Sequence, residues 1–375
     1  MSARVVLASV VAVSLATCGG EPEADRAIVS SDGLAPDVDA VAPSEPPLRP
    51  GPNQRRGRWA VALNEDCTAC HLAEAAQWRG SLHHRADTNR AYREAFAREP
   101  SAFCTSCHAP EAADPRQPTD AESALGVGCV SCHVVGDVSS YTVLSARETG
   151  SPSRAPHDVT RSRDFALTGG CAGCHQFHFP GRVGEDPAAF MQTTVLELEQ
   201  AAGPDASCAS CHMPSGDHGM AQVRDPDWLA EALEVDVQPR ASGDRVEIVL
   251  SSSRPSHAMP TGDLFRRLEV GVAWRDARGR VIDAQTVHLA RHLQRHPGEA
   301  KGRVLVADDR VHLGERRIVL SRDDTLGRAS SIRWWVTLQR VAEIGDGRDE
   351  STVMLESEQP IVAGVLPLVS GAADP

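Results

Sequence analysis

The stretch Cys67-Thr68-Ala69-Cys70-His71 has four counterparts: C-T-S-C-H at 104–108, C-V-S-C-H at 129–133, C-A-G-C-H at 171–175 and C-A-S-C-H at 208–212. Ten of the 11 cysteines therefore form five pairs: Cys67 and Cys70, Cys104 and Cys107, Cys129 and Cys132, Cys171 and Cys174, Cys208 and Cys211. C-x-x-C-H is the attachment signature of c-type haem. The two thiols bond to one edge of the porphyrin, and the next residue then lies beneath the iron as its proximal ligand. Zinc sites, disulfides and thioredoxin-like pairs also use paired cysteines, but none requires histidine after every second one. Histidine is 15 of 375 residues, so five such coincidences have a probability of roughly one in ten million. The pattern predicts five covalently bound haem c groups, each with an iron, and proximal ligands His71, His108, His133, His175 and His212.

The first cysteines are separated by 37, 25, 42 and 37 residues, so there is no fixed period and no solenoid repeat. Packed this closely, the flat apolar macrocycles are expected to supply most of the interior. That agrees with an aromatic content of only 4%. The fold class expected over 59–238 is a mostly α and irregular multihaem cytochrome c domain with the haems as core. Helices are predicted from Thr88 to Arg98, from Asp186-Pro187 to Gly203-Pro204, and from Asp225-Pro226 to Leu233. The second carries Phe190, Met191, Val195 and Leu198 as its apolar stripe. After Gln238 the texture changes to strand-like runs at 245–250, 268–274, 281–288, 304–307, 317–320, 332–338 and 351–357. Residues 239–375 therefore read as an all-β sandwich of immunoglobulin-like size, without cysteine.

Composition narrows the function classes. Hydrophobic residues at 41% and charged residues at 24% are ordinary for a soluble globular protein. The net charge of −13 argues against nucleic acid and favours protein partners with basic docking patches. The apolar run Val5 to Thr17 is too short to span a bilayer but suits a signal peptide. It leads into Leu15-Ala16-Thr17-Cys18-Gly19-Gly20, which looks like a lipobox with Cys18 as the lipidated residue. Thr17 departs from the usual small residue there, and ordinary cleavage nearby with Cys18 incidental is the alternative. Residues 1–18 are thus expected to be a signal peptide and 19–58 a Pro-rich disordered tether. The expected setting is export to the periplasm or outer cell envelope, with contact to the membrane surface through a lipid anchor.

Around the motifs, further residues carry a family resemblance. Cys67 to His71 continues to Trp78, Ser81, His83 and Ala86. Phe103 to Pro110, Gly128 to His133, Pro156-His157, and Cys208 to Pro214 with His218 also match. This pattern, over residues 59–225, resembles the multihaem cytochromes of the cytochrome c-552/c-554 group. His257-Ala-Met-Pro260-Thr261-Gly262, followed by Arg266-Arg267, resembles an H-x-x-P-T-G element of β modules that accompany multihaem cytochromes. The resemblance implies stacked haems working in electron transfer, mostly with two axial histidines. It implies His83, His157 and His218 as distal ligands, and His257 as a ligand offered by the β module. A fifth motif and a C-terminal domain depart from the tetrahaem members.

Five haems need five distal ligands if all are six-coordinate. His178 is a candidate for the fifth, toward a neighbouring haem. His84 is weaker because its neighbour His83 already fits. His288 and His292 read as surface residues, and Met213, Met220 and Met259 rank below histidine. Two functions follow. In the first, the haems relay electrons between redox partners and no catalytic residue is needed. In the second, one haem with an open iron position acts on a small nitrogen or sulfur compound. Against the second, every motif ends in histidine. The single lysine is Lys301, and only Tyr92 and Tyr141 could form a tyrosine crosslink. The sequence therefore favours an electron-transfer protein over a substrate-converting enzyme.

Overall fold

Short capped helices make up the first half of the chain. The computed structural model describes residues 49–146, 157–220, 225–240, 242–254, 256–295, 303–347 and 353–368. The expected signal peptide, Cys18 and the tether up to residue 48 lie outside the described residues. The helices are α1 (Gly57–Cys70), α2 (Leu72–Gly80), α3 (Arg90–Arg98), α4 (Ala102–His108), α5 (Asp120–Leu125), α6 (Cys129–His133), α7 (Arg163–Ala166), α8 (Gly169–His175), α9 (Thr194–Ala202), α10 (Ala209–His212) and α11 (Pro226–Glu231). Side-chain caps start several of them. Asn89 accepts from Tyr92 N, Ser101 from Phe103 N, Ser162 from Phe165 N and Asp225 from Asp227 N. Thr119 and Glu122 form a reciprocal capping box on α5. Helices this short are unstable alone and depend on tertiary support. Among the described residues, no helix is long and apolar enough to cross a membrane.

Packing begins ahead of α1. The backbone nitrogens of Asn53, Arg55 and Gly57 donate to the carbonyls of Ser106, Pro110 and Glu111, at 2.8, 3.0 and 2.6 Å. Residues expected in the tether up to 58 are therefore laid against the segment that follows the second motif. Arg56 completes the join. Its guanidinium and the Glu111 carboxylate are almost wholly buried and form a two-pronged pair at 2.6 and 2.8 Å. Arg56 also donates to the carbonyls of Val130 and Val134, and Ser131 Oγ donates to Glu111 at 2.9 Å. One buried ion pair thus ties the chain entry to the third motif.

Small strands interrupt the helices. β1 (Val134–Asp137), β2 (Ser140–Ser145) and β3 (Thr160–Arg161) make one sheet, and β4 (Gln176–His178) pairs antiparallel with β5 (Phe190–Thr193). The last pair corrects the helix predicted from Asp186. Only a single turn forms at Pro187–Ala189, and the helix starts at Thr194. The reason is competition for carbonyls. Arg291 donates to Phe190 O and Met191 O, both at 2.9 Å, while β4 takes the ladder bonds.

The second half is β-sheet. Its strands are β6 (Leu233–Pro239), β7 (Arg245–Ser252), β8 (Arg266–Arg275), β9 (Val281–Leu289), β10 (Arg291–Arg295), β11 (Arg303–Asp308), β12 (Arg316–Ser321), β13 (Ser331–Val341) and β14 (Leu355–Pro367). The orders are β12-β7-β6 in one sheet and β14-β13-β8-β9 in another, with β10-β11 a separate hairpin. β6 begins ahead of the texture change at 239, and β14 lies later than the run expected at 351–357. Both larger sheets contribute to one core, including Val246, Ile248, Leu250, Leu268, Val270, Val272, Trp274, Ile318, Ile332 and Val336. Trp334 and Trp335 point to opposite faces of β13. Each lies over a glycine on the neighbouring strand, Gly364 and Gly271. A Cβ on Gly271 would lie 2.2 Å from the Trp335 ring, so only glycine fits there. By contrast, the first half's own buried cluster is Ala60, Leu125, Val130 and Val134 with a few partly buried neighbours. That is too little hydrocarbon to hold so many short helices.

Two outcomes follow from this packing. Glu111→Ala leaves Arg56 buried without its partner and is expected to destabilise the holoprotein by about 3–5 kcal/mol, read from the urea midpoint. Glu269, on β8, faces His288 and accepts from Trp335 Nε1 at 2.7 Å and Gln339 Nε2 at 3.0 Å. These contacts, His288 first, hold its pKa down at about 2. A depressed carboxylate stabilises above its ordinary pKa and loses that contribution as pH falls toward the folded value. The stability gap between wild type and Glu269→Gln should be full at pH 6 and shrink between about pH 4.5 and pH 2.

Candidate haem sites

Every motif sits where a helix ends: on α1, α4, α6, α8 and α10. Cysteines three apart on a helix lie on one face, so both thiols of a pair project together. None of the ten is paired in a disulfide. Burial raises Cys129 to about 12, helped by Cys67, and Cys132 to about 11, helped by Glu111. The sulfurs also show which motifs are neighbours. Cys67 acts on Cys129, and Cys132 on both Cys171 and Cys174. The thiols of Cys107 and Cys174 act on each other, as do those of Cys171 and Cys208. The spatial order is first, third, fourth, with the second and fifth motifs both beside the fourth.

The histidines stand in facing pairs. Ring centroids are 6.4 Å apart for His71 and His157, 6.1 Å for His175 and His83, 6.1 Å for His133 and His218, and 6.0 Å for His212 and His257. Two imidazole nitrogens, each about 2 Å from a shared metal, put their centroids about 6 Å apart. The partners come from four places: the turn after α2, the segment before β3, the turn after α10, and the loop between β7 and β8. Among the described residues, no three His, Cys, Asp or Glu side chains converge as a metal site. The donor set is one of opposed imidazoles beside paired thiols, and it fits haem c at these four motifs.

The second ring nitrogen of these histidines has an assigned role. Nδ1 meets a backbone carbonyl in His108 (Ala86, 2.7 Å), His133 (Leu144, 2.9 Å), His157 (Asp158, 3.3 Å), His218 (Gly216, 2.8 Å) and His257 (Ala258, 3.0 Å). A donated Nδ1–H fixes the tautomer and leaves the Nε2 lone pair for a metal. Burial favours the neutral, ligating form. It lowers His175 to about 3, aided by His83 and Arg266, and His212 to about 4, aided by His257.

Other histidines use Nε2 elsewhere. His178 Nε2 meets Gly184 O at 2.7 Å, and its ring stacks on Phe190 at 3.9 Å. The structure thus does not bring His178 opposite a motif histidine. His312 Nε2 meets Glu197 O at 3.1 Å, and His292 Nε2 meets Asp309 at 2.9 Å. His288 and His292 lie on β9 and β10, not on one helix, and His292 is buried rather than on the surface. His84 packs on Trp78, and Met259 against the β core. His108 is distinct. Tyr92 stacks flat on it at 3.8 Å and 7°, and among the described residues no second histidine faces it.

Sequence reasoning passed over the groups that hold the β7–β8 loop, chiefly Glu197 and Arg310. A glutamate inside a helical stripe and an arginine in a turn carry no motif.

Residues 66–134 match the family described as cytochrome c554 and c-prime. The fold is similar to a penta-heme cytochrome c552 from Thermochromatium tepidum, with 17% identity and a TM-score of 0.61. The match covers 84% of this chain and 100% of that one. No curated protein matches the chain. The matched segment holds the first three motifs; over it the chain is similar to the c554 family, its fold is similar to that of a multihaem cytochrome c552, and a β-sheet region continues the chain.

Proposed function

We propose that this chain carries five haem c groups and relays electrons between redox partners in the periplasm or outer cell envelope. The observation that carries the reading is the set of four imidazole pairs at bis-ligand spacing. Bound haem supplies a one-electron couple at iron. The chain's part is to hold two neutral imidazoles on each of four irons, through His71 and His157, His175 and His83, His133 and His218, and His212 and His257. Two strong axial ligands leave little room for substrate chemistry and favour outer-sphere transfer.

The neighbour order gives the relay a junction at the fourth motif. His71 and Cys70 are exposed beside Leu72, which makes the first motif a natural contact point for a partner. The acidic chain favours a partner with a basic patch. A lipid anchor at Cys18 would keep that encounter at the membrane surface. The strand orders β12-β7-β6 and β14-β13-β8-β9 over one core support an immunoglobulin-like sandwich for the β region.

One observation favours a second reading, in which the haem at the second motif has an open iron and acts on a small nitrogen or sulfur compound. His108 has Tyr92 against its face and no facing histidine among the described residues.

A pyridine haemochrome assay should count five haems per chain, and a lower count would overturn the pentahaem reading. Spin-state measurement on the holoprotein should find four low-spin haems, with the second motif's haem the one that binds nitric oxide. Steady turnover of nitrite or hydroxylamine at that haem would replace the relay reading with the enzymatic one. His83→Ala, His157→Ala and His218→Ala should each convert one further haem to high spin at unchanged haem count. A silent substitution removes that histidine from the ligand set.

A further inference from the structure

The loop that presents His257 is held from the other half of the chain by a buried carboxylate, with Thr194 Oγ1 also 2.9 Å from Thr261 Oγ1. Glu197 lies on α9 and is 5% exposed. Its Oε2 accepts from Thr261 Oγ1 at 2.7 Å and Ala258 N at 3.2 Å. Its Oε1 pairs with Arg310 Nη2 at 2.7 Å and accepts from Thr193 Oγ1. Arg310 is buried too, and it donates to Pro260 O at 3.1 Å while Asp308 takes its remaining face. Met259 and Val311 exchange backbone bonds at 2.7 and 3.0 Å. Every residue from Ala258 to Thr261 therefore has a fixed partner.

The line from the carboxylate to the ring is short. Glu197 holds the Ala258 N–H. The carbonyl of the same residue receives His257 Nδ1 at 3.0 Å, and the His257 ring lies 11° from parallel to His212 at 6.0 Å. Burying two charges is costly and is repaid only where the geometry is good and further hydrogen bonds satisfy both groups, as they do here. Here every donor on Glu197 other than Thr193 belongs to the β region.

We propose that Glu197, clamped by Arg310, is the positioning residue that seats His257 opposite His212, so that docking of the β region on α9 completes the fifth haem site. This rests on the reading of His257 as an axial ligand. The β region then acts as a fixed cap whose docking sets the coordination of one haem.

The test compares His257→Ala, Glu197→Ala and Thr261→Val in the full holoprotein, by pyridine haemochrome and low-temperature electron paramagnetic resonance. His257→Ala should add one high-spin haem. Glu197→Ala should add the same haem at five haems per chain, although His257 is intact, and millimolar imidazole should return it to low spin. Thr261→Val keeps the Glu197–Arg310 pair and guards against misfolding of the first variant. It should shift the low-spin signal of that one haem and leave the others in place. If His257→Ala is high-spin while Glu197→Ala and Thr261→Val match wild type, the positioning role is wrong and the ligand reading stands. If His257→Ala is itself silent, both fall.

Discussion

Two imidazole rings about 6 Å apart can share a metal only if both are neutral and correctly turned. Much of the molecule answers that demand. The carbonyls of Ala86, Leu144, Asp158, Gly216 and Ala258 each take an Nδ1, so the free lone pair is on Nε2. The same requirement explains why the helices are short. Each needs only enough turns to put two thiols on one face and an imidazole at its end. The scant hydrocarbon core of the first half then follows on the proposed reading, in which the groups held at those helix ends fill the space.

How much of this could be read in the sequence depends on the range of the chemistry. Haem attachment is local: two thiols and a histidine within five residues, so the motifs were legible in full. The cap signal at Asp225-Pro226 is local as well. Distal ligation is not. His83, His157, His218 and His257 stand on separate segments, and no spacing rule links them to His175, His71, His133 and His212. Their candidacy came from resemblance alone. His178 shows the limit of ligand arithmetic. A fifth ligand was needed on paper, but β4 pairs with β5, which puts His178 on Phe190 and its Nε2 on Gly184 O.

The predicted helix from Asp186 failed for a related reason. Its start signal is genuine: Asp186 accepts from Ala188 N at 2.8 Å. The helix did not continue because Phe190 and Met191 give their carbonyls to Arg291, a hundred residues on. Local propensity lost to a long-range cation that takes those carbonyls. The same cation stitches the haem half to the β half, so the misread helix and the interface have one cause.

The interface also bears on the order of the relay. The fourth motif lies among the second, third and fifth, and burial lowers His175 further than the other histidines for which a value is resolved. The ends differ in kind. The first motif has Cys70 and His71 exposed, the second has a tyrosine against its histidine, and the fifth, with Cys211 exposed, has its histidine faced by a loop from another region. On the proposed reading, a branched arrangement with three unlike ends receives electrons at one and delivers them at another, and the β region bears on one of those ends through a single residue, Ala258, whose N–H is held by Glu197 and whose carbonyl meets His257.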